Sequence, residues 1–489
     1  MTQSVSPGEH EVVADATPEP DPESFLRDRA LPILIVVGTL AALVSARAVP
    51  LANVDTYFHL RFGHEFLGGW SLRDPGSVST FATAHWVPTQ WLPEVVMAKT
   101  EDWVGLAGIA WLSGLQNIAL CVTLYLVSRR WGSRLLVSLL VAAALITAYF
   151  SLSMRPQVLS YLLLVTTLGA WLRTREDARL RWWLVPLTWV WAMVHGMWPI
   201  GIGLGVLALA GMALDRSVPR RTLLRGLAIP ALSAVVAALT PVGPELYVQL
   251  VRVQDRARFF SEWRRPDPTS WSWILLAALV VVAVVLLVRR RPWRWFDVLL
   301  VGFCVLCSVW SWRTVPVAAY MLVPVIAMLS ARGTGEARVP LARPERRLVL
   351  GGAALALLVL GVAVPFTSDQ PPAQPSWMDT ALRALPDDTK VLNAWDWGGY
   401  LMWRYPQLDL LMHGYGDTFT EPELQRNTDI IELAPGWQDE LRATGATVAV
   451  LRPTALADAL EHQEHWTVLH RSPTAVELRA PAGWTRSGR

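Results

Sequence analysis

The sequence predicts an α-helical polytopic membrane protein of about eleven transmembrane helices, followed by a small C-terminal α/β domain. Three observations predict it. Hydrophobic residues make up 53% of the 489 and charged residues only 17%, against roughly a quarter charged in soluble domains. The deficit is uneven, with long uncharged stretches separated by short basic clusters, as spans are separated by loops. After residue 366 the charges return, and short β-like runs alternate with helix-like ones.

Residues 1–28 precede the first apolar run. They are acidic and rich in Pro, Ser and Thr, and lack the basic start of a cleaved signal, so they read as a disordered cytoplasmic tail. Residues 29–366 read as the transmembrane domain. A span needs about 20 apolar residues. The candidates are 31–50, 104–127, 134–152, 156–172, 182–196, 198–214, 224–240, 270–288, 295–312, 314–331 and 347–366. Pro or Gly interrupts the joins near 155 and 198, so tight turns are expected there. Five basic clusters begin at Arg129, Arg173, Arg216, Arg289 and Arg332 and occupy alternate loops. From a cytoplasmic N-terminus all five fall on the cytoplasmic side, as the positive-inside rule asks. One loop disagrees. Residues 241–269 carry Arg252, Arg256, Arg258, Arg264 and Arg265, yet count as outside.

The same count places the first large loop, 50–103, and the domain 367–489 outside the cell. In that domain the β-like runs are Lys390–Asn393, Leu408–Met412, Thr447–Leu451 and Val476–Leu478. The helix-like segments are 381–385, 398–404, 435–443 and 454–462. Cys121, Cys304 and Cys307 lie in apolar stretches and imply no disulfide framework. With a net charge of +3 the chain shows no sign of binding nucleic acid.

Polar residues that border the spans gather on the outer side. Asp55, His59 and Arg61 follow the first span, and Arg155 sits between the third and fourth. His195 lies between the fifth and sixth, Glu262 in the 241–269 loop, and Arg313 at the ninth–tenth turn. Ionisable groups at such depth mark sites or pathways, although an end-of-helix Arg also snorkels without further function. Asp55 and His59 are four apart and share a helical face. A carboxylate beside an imidazole suits general-base chemistry or part of a metal site. Asp74 and Glu94 add acids to the same loop. Most of the 26 Trp read as an interfacial belt.

The stretch Asp55-Thr56-Tyr57-Phe58-His59-Leu60-Arg61 resembles the start of the first outer loop of C-type glycosyltransferases. It is similar to the Asp-x-Tyr-Tyr-His/Asn-x-Arg stretch of oligosaccharyltransferase catalytic subunits and, more loosely, to the acidic pair of protein O-mannosyltransferases. Further pieces resemble bacterial members of that superfamily. They are Asp74-Pro75 with Ser79-Thr80-Phe81, Trp86, Gln90-Trp91-Leu92-Pro93-Glu94, Arg155-Pro156-Gln157, Trp191–Gly196 and Asn393–Tyr400. Asn53 stands where oligosaccharyltransferases carry an acid, and their Trp-Trp-Asp signature is absent, so sequon-dependent protein glycosylation is not expected.

The resemblance implies a polyprenyl-phosphate sugar donor entering from the bilayer and reacting at the outer face of the cytoplasmic membrane. Asp55 is then the expected general base. His59, Arg61, Asp74, Glu94, Arg155, His195, Glu262 and Arg313 are the expected substrate-binding set. The acceptor is a glycan, a lipid or a protein. No cofactor is required, and a divalent metal is an option beside Asp55. Two other readings stay open: a transporter or flippase of lipid-linked sugars, and a catalytically inactive relative acting in envelope assembly.

Overall fold

The computed structural model describes residues 26–289, 291–331 and 341–484. The expected tail at 1–28 lies outside these, apart from its last residues, which join a single π-helical turn, Leu26–Ala30. Arg290, Arg332 and Arg338 of the basic clusters also lie outside.

Each apolar segment folds as helix. In chain order these are α1 (Leu31–Arg47), α2 (Val54–Leu67), α3 (Trp91–Ser128), α4 (Arg134–Thr147), α5 (Gln157–Asp177), α6 (Leu184–Val194), α7 (Trp198–Leu214), α8 (Arg220–Gly226), α9 (Ala228–Ala237), α10 (Glu245–Arg256), α11 (Trp271–Arg289), α12 (Trp295–Trp310), α13 (Val315–Ala331) and α14 (Arg343–Thr367). Among the described residues, five helical stretches are long and apolar enough to cross a membrane: Asp28–Arg47, Trp91–Ser128, Trp271–Arg289, Trp312–Ala331 and Arg343–Thr367. Four shorter apolar helices, α4, α6, α7 and α12, lie among them. The chain is a multi-pass membrane protein.

Burial sorts the helices. The apolar stretch of α13 is 83% buried, so it is the central helix, packed by α4, α5, α11 and α12. Those of α1 and α11 are only 17% buried, and Leu34, Val281 and Val282 project outward. Such an apolar outer surface belongs in lipid rather than water. The expected boundary between outer loop and span at residue 104 is a kink instead. Helix α3 runs through it, broken at Gly105 (φ 68°, ψ −162°), a conformation that disfavours side chains other than hydrogen.

The two ends of the bundle differ. At one end, buried ion pairs lock helix termini together: Arg129 donates to Glu345 at 2.6 Å, Arg134 to Glu345 at 3.0 Å, and Arg175 to Asp297 at 2.7 Å. These arginines come from two of the basic loops. The other end carries α2, the 241–269 segment and the C-terminal domain.

That domain is a five-stranded sheet with the helices Met378–Arg383, Gly398–Arg404, Glu421–Ile431, Trp437–Thr444 and Ala455–His462. The strands are β1 (Lys390–Asn393), β2 (Asp409–Leu410), β3 (Val448–Leu451), β4 (Thr467–Arg471) and β5 (Val476–Arg479), ordered β2-β1-β3-β5-β4. β1 pairs in parallel with β2 and β3, while β5 pairs antiparallel with β3 and β4. β4 is an exposed edge without alternating burial, which is why its sequence carries no strand pattern. The helix Glu421–Ile431 is likewise additional to the expected set; a Thr420/Glu423 capping box starts it.

The domain docks directly on α2. The helix Gly398–Arg404 lies against it, with Tyr57 meeting Tyr400 edge-on at 5.3 Å and Trp403 at 5.0 Å. Gly399 makes this possible, because a Cβ there would sit 2.3 Å from the Val54 carbonyl oxygen. Asp409 fastens the other side. It accepts from the Thr80 amide at 2.9 Å and the Ser79 hydroxyl at 3.0 Å, and it also binds the Thr80 hydroxyl.

Candidate functional site

Five separate turns deliver charged side chains to one place. Asn53 caps α2, its side chain accepting from the Asp55 amide at 2.9 Å, so Asp55 projects from the first turn. Thr56 then donates to the Met154 carbonyl at 2.9 Å, which brings the α4–α5 join alongside. Arg155 therefore meets Asp55 as a close ion pair. Arg155 also pairs with Glu262 at 2.6 Å. Glu262 lies in the turn Ser261–Trp263, and the Trp312 amide donates to the Arg264 carbonyl at 3.0 Å. That backbone bond sets the turn against the Trp312–Thr314 turn, where Arg313 reaches Glu262 at 3.4 Å and stacks over Trp263 at 5.2 Å. Arg313 also comes within 3.4 Å of His195 Nε2. The chain Asp55–Arg155–Glu262–Arg313–His195 is thus continuous.

These residues line one cavity of about 570 Å³ at the end of the bundle opposite the Arg129–Glu345 and Arg175–Asp297 pairs. His59 lines it too. Its Nδ1 bonds the buried Glu94 carboxylate at 2.8 Å. Glu94 itself lies behind His59, fully buried, and does not reach the cavity wall. Gly63 permits this packing, since a Cβ there would meet the Glu94 carbonyl oxygen at 2.1 Å.

Two nominated residues stay apart. Arg61 points away and pairs with Glu65 at 2.7 Å, because residues two apart on a helix face different ways. Asp74 is 87% exposed beside His85 and belongs to the loop surface.

The C-terminal domain closes the cavity. Trp395, Asp396, His413, Tyr415 and Asp417 line it, with Gln90, Gln249 and Arg256 from the membrane side. Arg256 donates to the Asp417 carbonyl at 2.7 Å. Gln249 and the turn from His413 to Asp417 were not nominated from sequence. The turn's signal is the Gly414-Tyr415-Gly416 pattern, while Gln249 has none. Gly414 has φ +91°, and a Cβ on Gly416 would lie 2.0 Å from the Phe260 ring.

Electrostatics divide the cavity. Burial works against ionisation of Glu262, but Arg155 and Arg313 outweigh it and hold its carboxyl below the usual range. Burial pushes the Asp417 carboxyl up, against the pull of Arg256 and Arg313. Burial also takes His413 down to about 3, so it is neutral at ordinary pH. The acids do not fit a metal: Asp55 and Glu262 are held by arginines, Glu94 by His59, and Asp74 is outside. Among the described residues no group of three His, Cys, Asp or Glu side chains has metal-holding geometry.

No protein-family model matches the sequence, and no curated protein sequence does either. Solved structures do. The Archaeoglobus fulgidus oligosaccharyltransferase tethered with an acceptor peptide containing the NVT sequon aligns with a TM-score of 0.51 at 10% identity, over 90% of this chain and 70% of that one. ArnT from Cupriavidus metallidurans in the apo state aligns with a TM-score of 0.50 at 15% identity, over 93% of this chain and 99% of that one. Both are C-type glycosyltransferases, and this chain shares their fold.

Proposed function

We propose that the protein is a membrane glycosyltransferase that moves a sugar from a polyprenyl-phosphate donor to an acceptor hydroxyl, with Asp55 as general base. The observation that carries this reading is the convergence of Asp55, Arg155, Glu262 and Arg313 from four distant segments on one cavity. The fold shared with an oligosaccharyltransferase and ArnT supports the same class of reaction.

In this reading the acceptor oxygen bonds to the anomeric carbon of the donor sugar as the carbon–oxygen bond to phosphate breaks. The Asp55 carboxylate takes the hydroxyl proton. The departing lipid phosphate changes from a singly charged diester to a more highly charged monoester. Arg155 and Arg313 would hold its oxygens, and their grip would strengthen as that charge develops. The incoming phosphate also gives Arg155 a new partner, which releases Asp55 from its ion pair to act as a base. His195 and His59 complete the wall, with Glu94 fixing the orientation of His59.

The orientation belongs to the same proposal. On the sequence count of eleven spans the basic loops gather on the side opposite the cavity, and the positive-inside rule would put that side in the cytoplasm. The cavity and the C-terminal domain then face outward across the cytoplasmic membrane, where a glycan, lipid or protein acceptor would meet them.

The test is transfer of label from a panel of polyprenyl-phosphate sugars in membranes holding wild type or Asp55→Asn. The proposal expects transfer by wild type and a loss of about 100-fold or more in Asp55→Asn. If neither protein transfers sugar, yet both equilibrate the labelled lipid between leaflets, the chain is a transporter and the proposal fails.

A further inference from the structure

The cavity has two halves of different chemistry. One holds the guanidinium groups of Arg155 and Arg313 and suits phosphate. The other is built by α10 and the turn from His413 to Asp417, and it contains polar atoms left without a well-formed hydrogen bond. Gln249 is only 2% exposed, and its amide approaches the Asp417 carboxylate without making a well-formed hydrogen bond. It lies beside Asp417, near enough to favour the charged carboxylate. The Tyr415 hydroxyl is also buried, with the Thr89 and Gln90 side chains near it but no well-formed hydrogen bond. Buried polar atoms are nearly always satisfied, and each orphan carries a penalty. Three buried polar atoms without a well-formed bond, on residues lining one cavity, point to a ligand that completes them.

The atoms describe that ligand. Gln249 offers a donor and an acceptor on one amide, Tyr415 offers a hydroxyl of either sense, and Asp417 offers carboxylate oxygens. Vicinal hydroxyls, each donor and acceptor, match such a set. Trp395 stands next to this turn, its ring 4.0 Å from where a Gly414 Cβ would be, and supplies an apolar plane beside the polar groups. A phosphate fits poorly here, since Asp417 would repel it.

We propose that Gln249, Tyr415, Asp417 and Trp395 form a subsite for a sugar ring. This deepens the transferase reading and rests on it for the ring's identity as donor sugar or acceptor sugar.

The experiment reads binding, without transfer. Purified protein in detergent is titrated with methyl glycosides of the common hexoses and pentoses, followed by tryptophan fluorescence and ligand-observed NMR. At least one glycoside should bind saturably. Gln249→Leu and the milder Tyr415→Phe should each weaken it about tenfold. Gln249→Leu should leave Tm unchanged or raise it, because it removes two poorly satisfied buried atoms. A Tm that falls would assign Gln249 a structural role and overturn the proposal. So would the absence of any saturable glycoside, wild-type affinity in both variants, or binding of short Ser- and Thr-containing peptides in place of glycosides. Repeating the titration with saturating polyprenyl-phosphate hexose separates the sources. Glycoside binding that persists assigns the ring to the acceptor, and binding that is competed away assigns it to the donor. A protein that binds glycosides but transfers nothing keeps the subsite and loses the transferase. One that transfers but binds none does the reverse.

Discussion

Replacing Arg155 tests the phosphate-holding role separately from the base. At rest Arg155 pairs with Asp55 and Glu262, and the three side chains are 18%, 22% and 37% exposed. Pairs so accessible to solvent contribute only about 0–1 kcal/mol each to stability after screening. Arg155→Lys keeps the charge but loses the fork that lets one side chain reach two oxygens. The lost charge-assisted bond is worth about 1.5–3 kcal/mol, so kcat/KM should fall by roughly 10- to 150-fold. The loss should appear in kcat as well as KM, because the phosphate gains charge as the sugar departs. Arg155→Met removes both bonds and leaves two carboxylates facing each other, and its loss should exceed that of Arg155→Lys by about tenfold or more. The assay is steady-state transfer from a labelled polyprenyl-phosphate sugar, on variants matched for Tm. An Arg155→Lys enzyme within about threefold of wild type would refute the phosphate role, since a point charge would then serve as well as a fork.

Three further outcomes are expected. Glu345→Gln breaks the buried set with Arg129 and Arg134; it should lower stability by about 3 kcal/mol, read by thermal melting, while kcat per folded molecule stays unchanged. Gly399→Val would drive a side chain into the Val54 carbonyl oxygen; the C-terminal domain should loosen from α2, giving faster hydrogen exchange at 398–404 and loss of activity. His413 is held down to about 3 from an ordinary 6.5, so between those values the unfolded chain binds the extra proton and stability rises with pH. Stability should therefore drop as pH falls below 6.5, by about 1.4 kcal/mol per pH unit from this group, and His413→Gln should remove that share in chemical-denaturation curves.

The helices were legible because each apolar segment is a local pattern. Residues 398–404 and 390–393 were read with their observed bounds because strand, glycine turn and helix follow one another within fifteen residues. Edge strand β4 and the helix at 421–431 were not read, since one has no buried face and the other only a polar cap signal. At the site, Asp55, His59, Arg155, His195, Glu262 and Arg313 were legible as charges at span ends, and all six line the cavity. Arg61 shared their motif but not their face. Gln249 and Asp417 carried no such mark: one is a neutral amide in an amphipathic helix, the other an acid in a charged domain. Only the fold brings them together, across a separation of 168 residues.

On the proposed orientation the basic segment at 241–269 breaks the charge rule, and its contacts account for the exception. Arg252 donates to the His85 carbonyl at 3.2 Å, Arg256 to the Asp417 carbonyl at 2.7 Å, and Arg258 pairs with Glu421. These arginines join the segment to the first loop and to the C-terminal domain. A charge committed to such contacts is not available to set topology at the membrane surface, and the rule weights short loops near span ends. The same contacts hold Glu262 and Gln249 over the cavity, one toward the arginines and one toward Asp417. The exception to that pattern is therefore the element that closes the cavity: it ties the arginine-bearing end of the bundle to polar groups of the domain. Neutralising Arg256 and Arg258 together should then open the cavity without disturbing insertion. That is measurable as protease access at 253–265 in vesicles whose spans remain protected, and unchanged access would separate the segment's charges from closure.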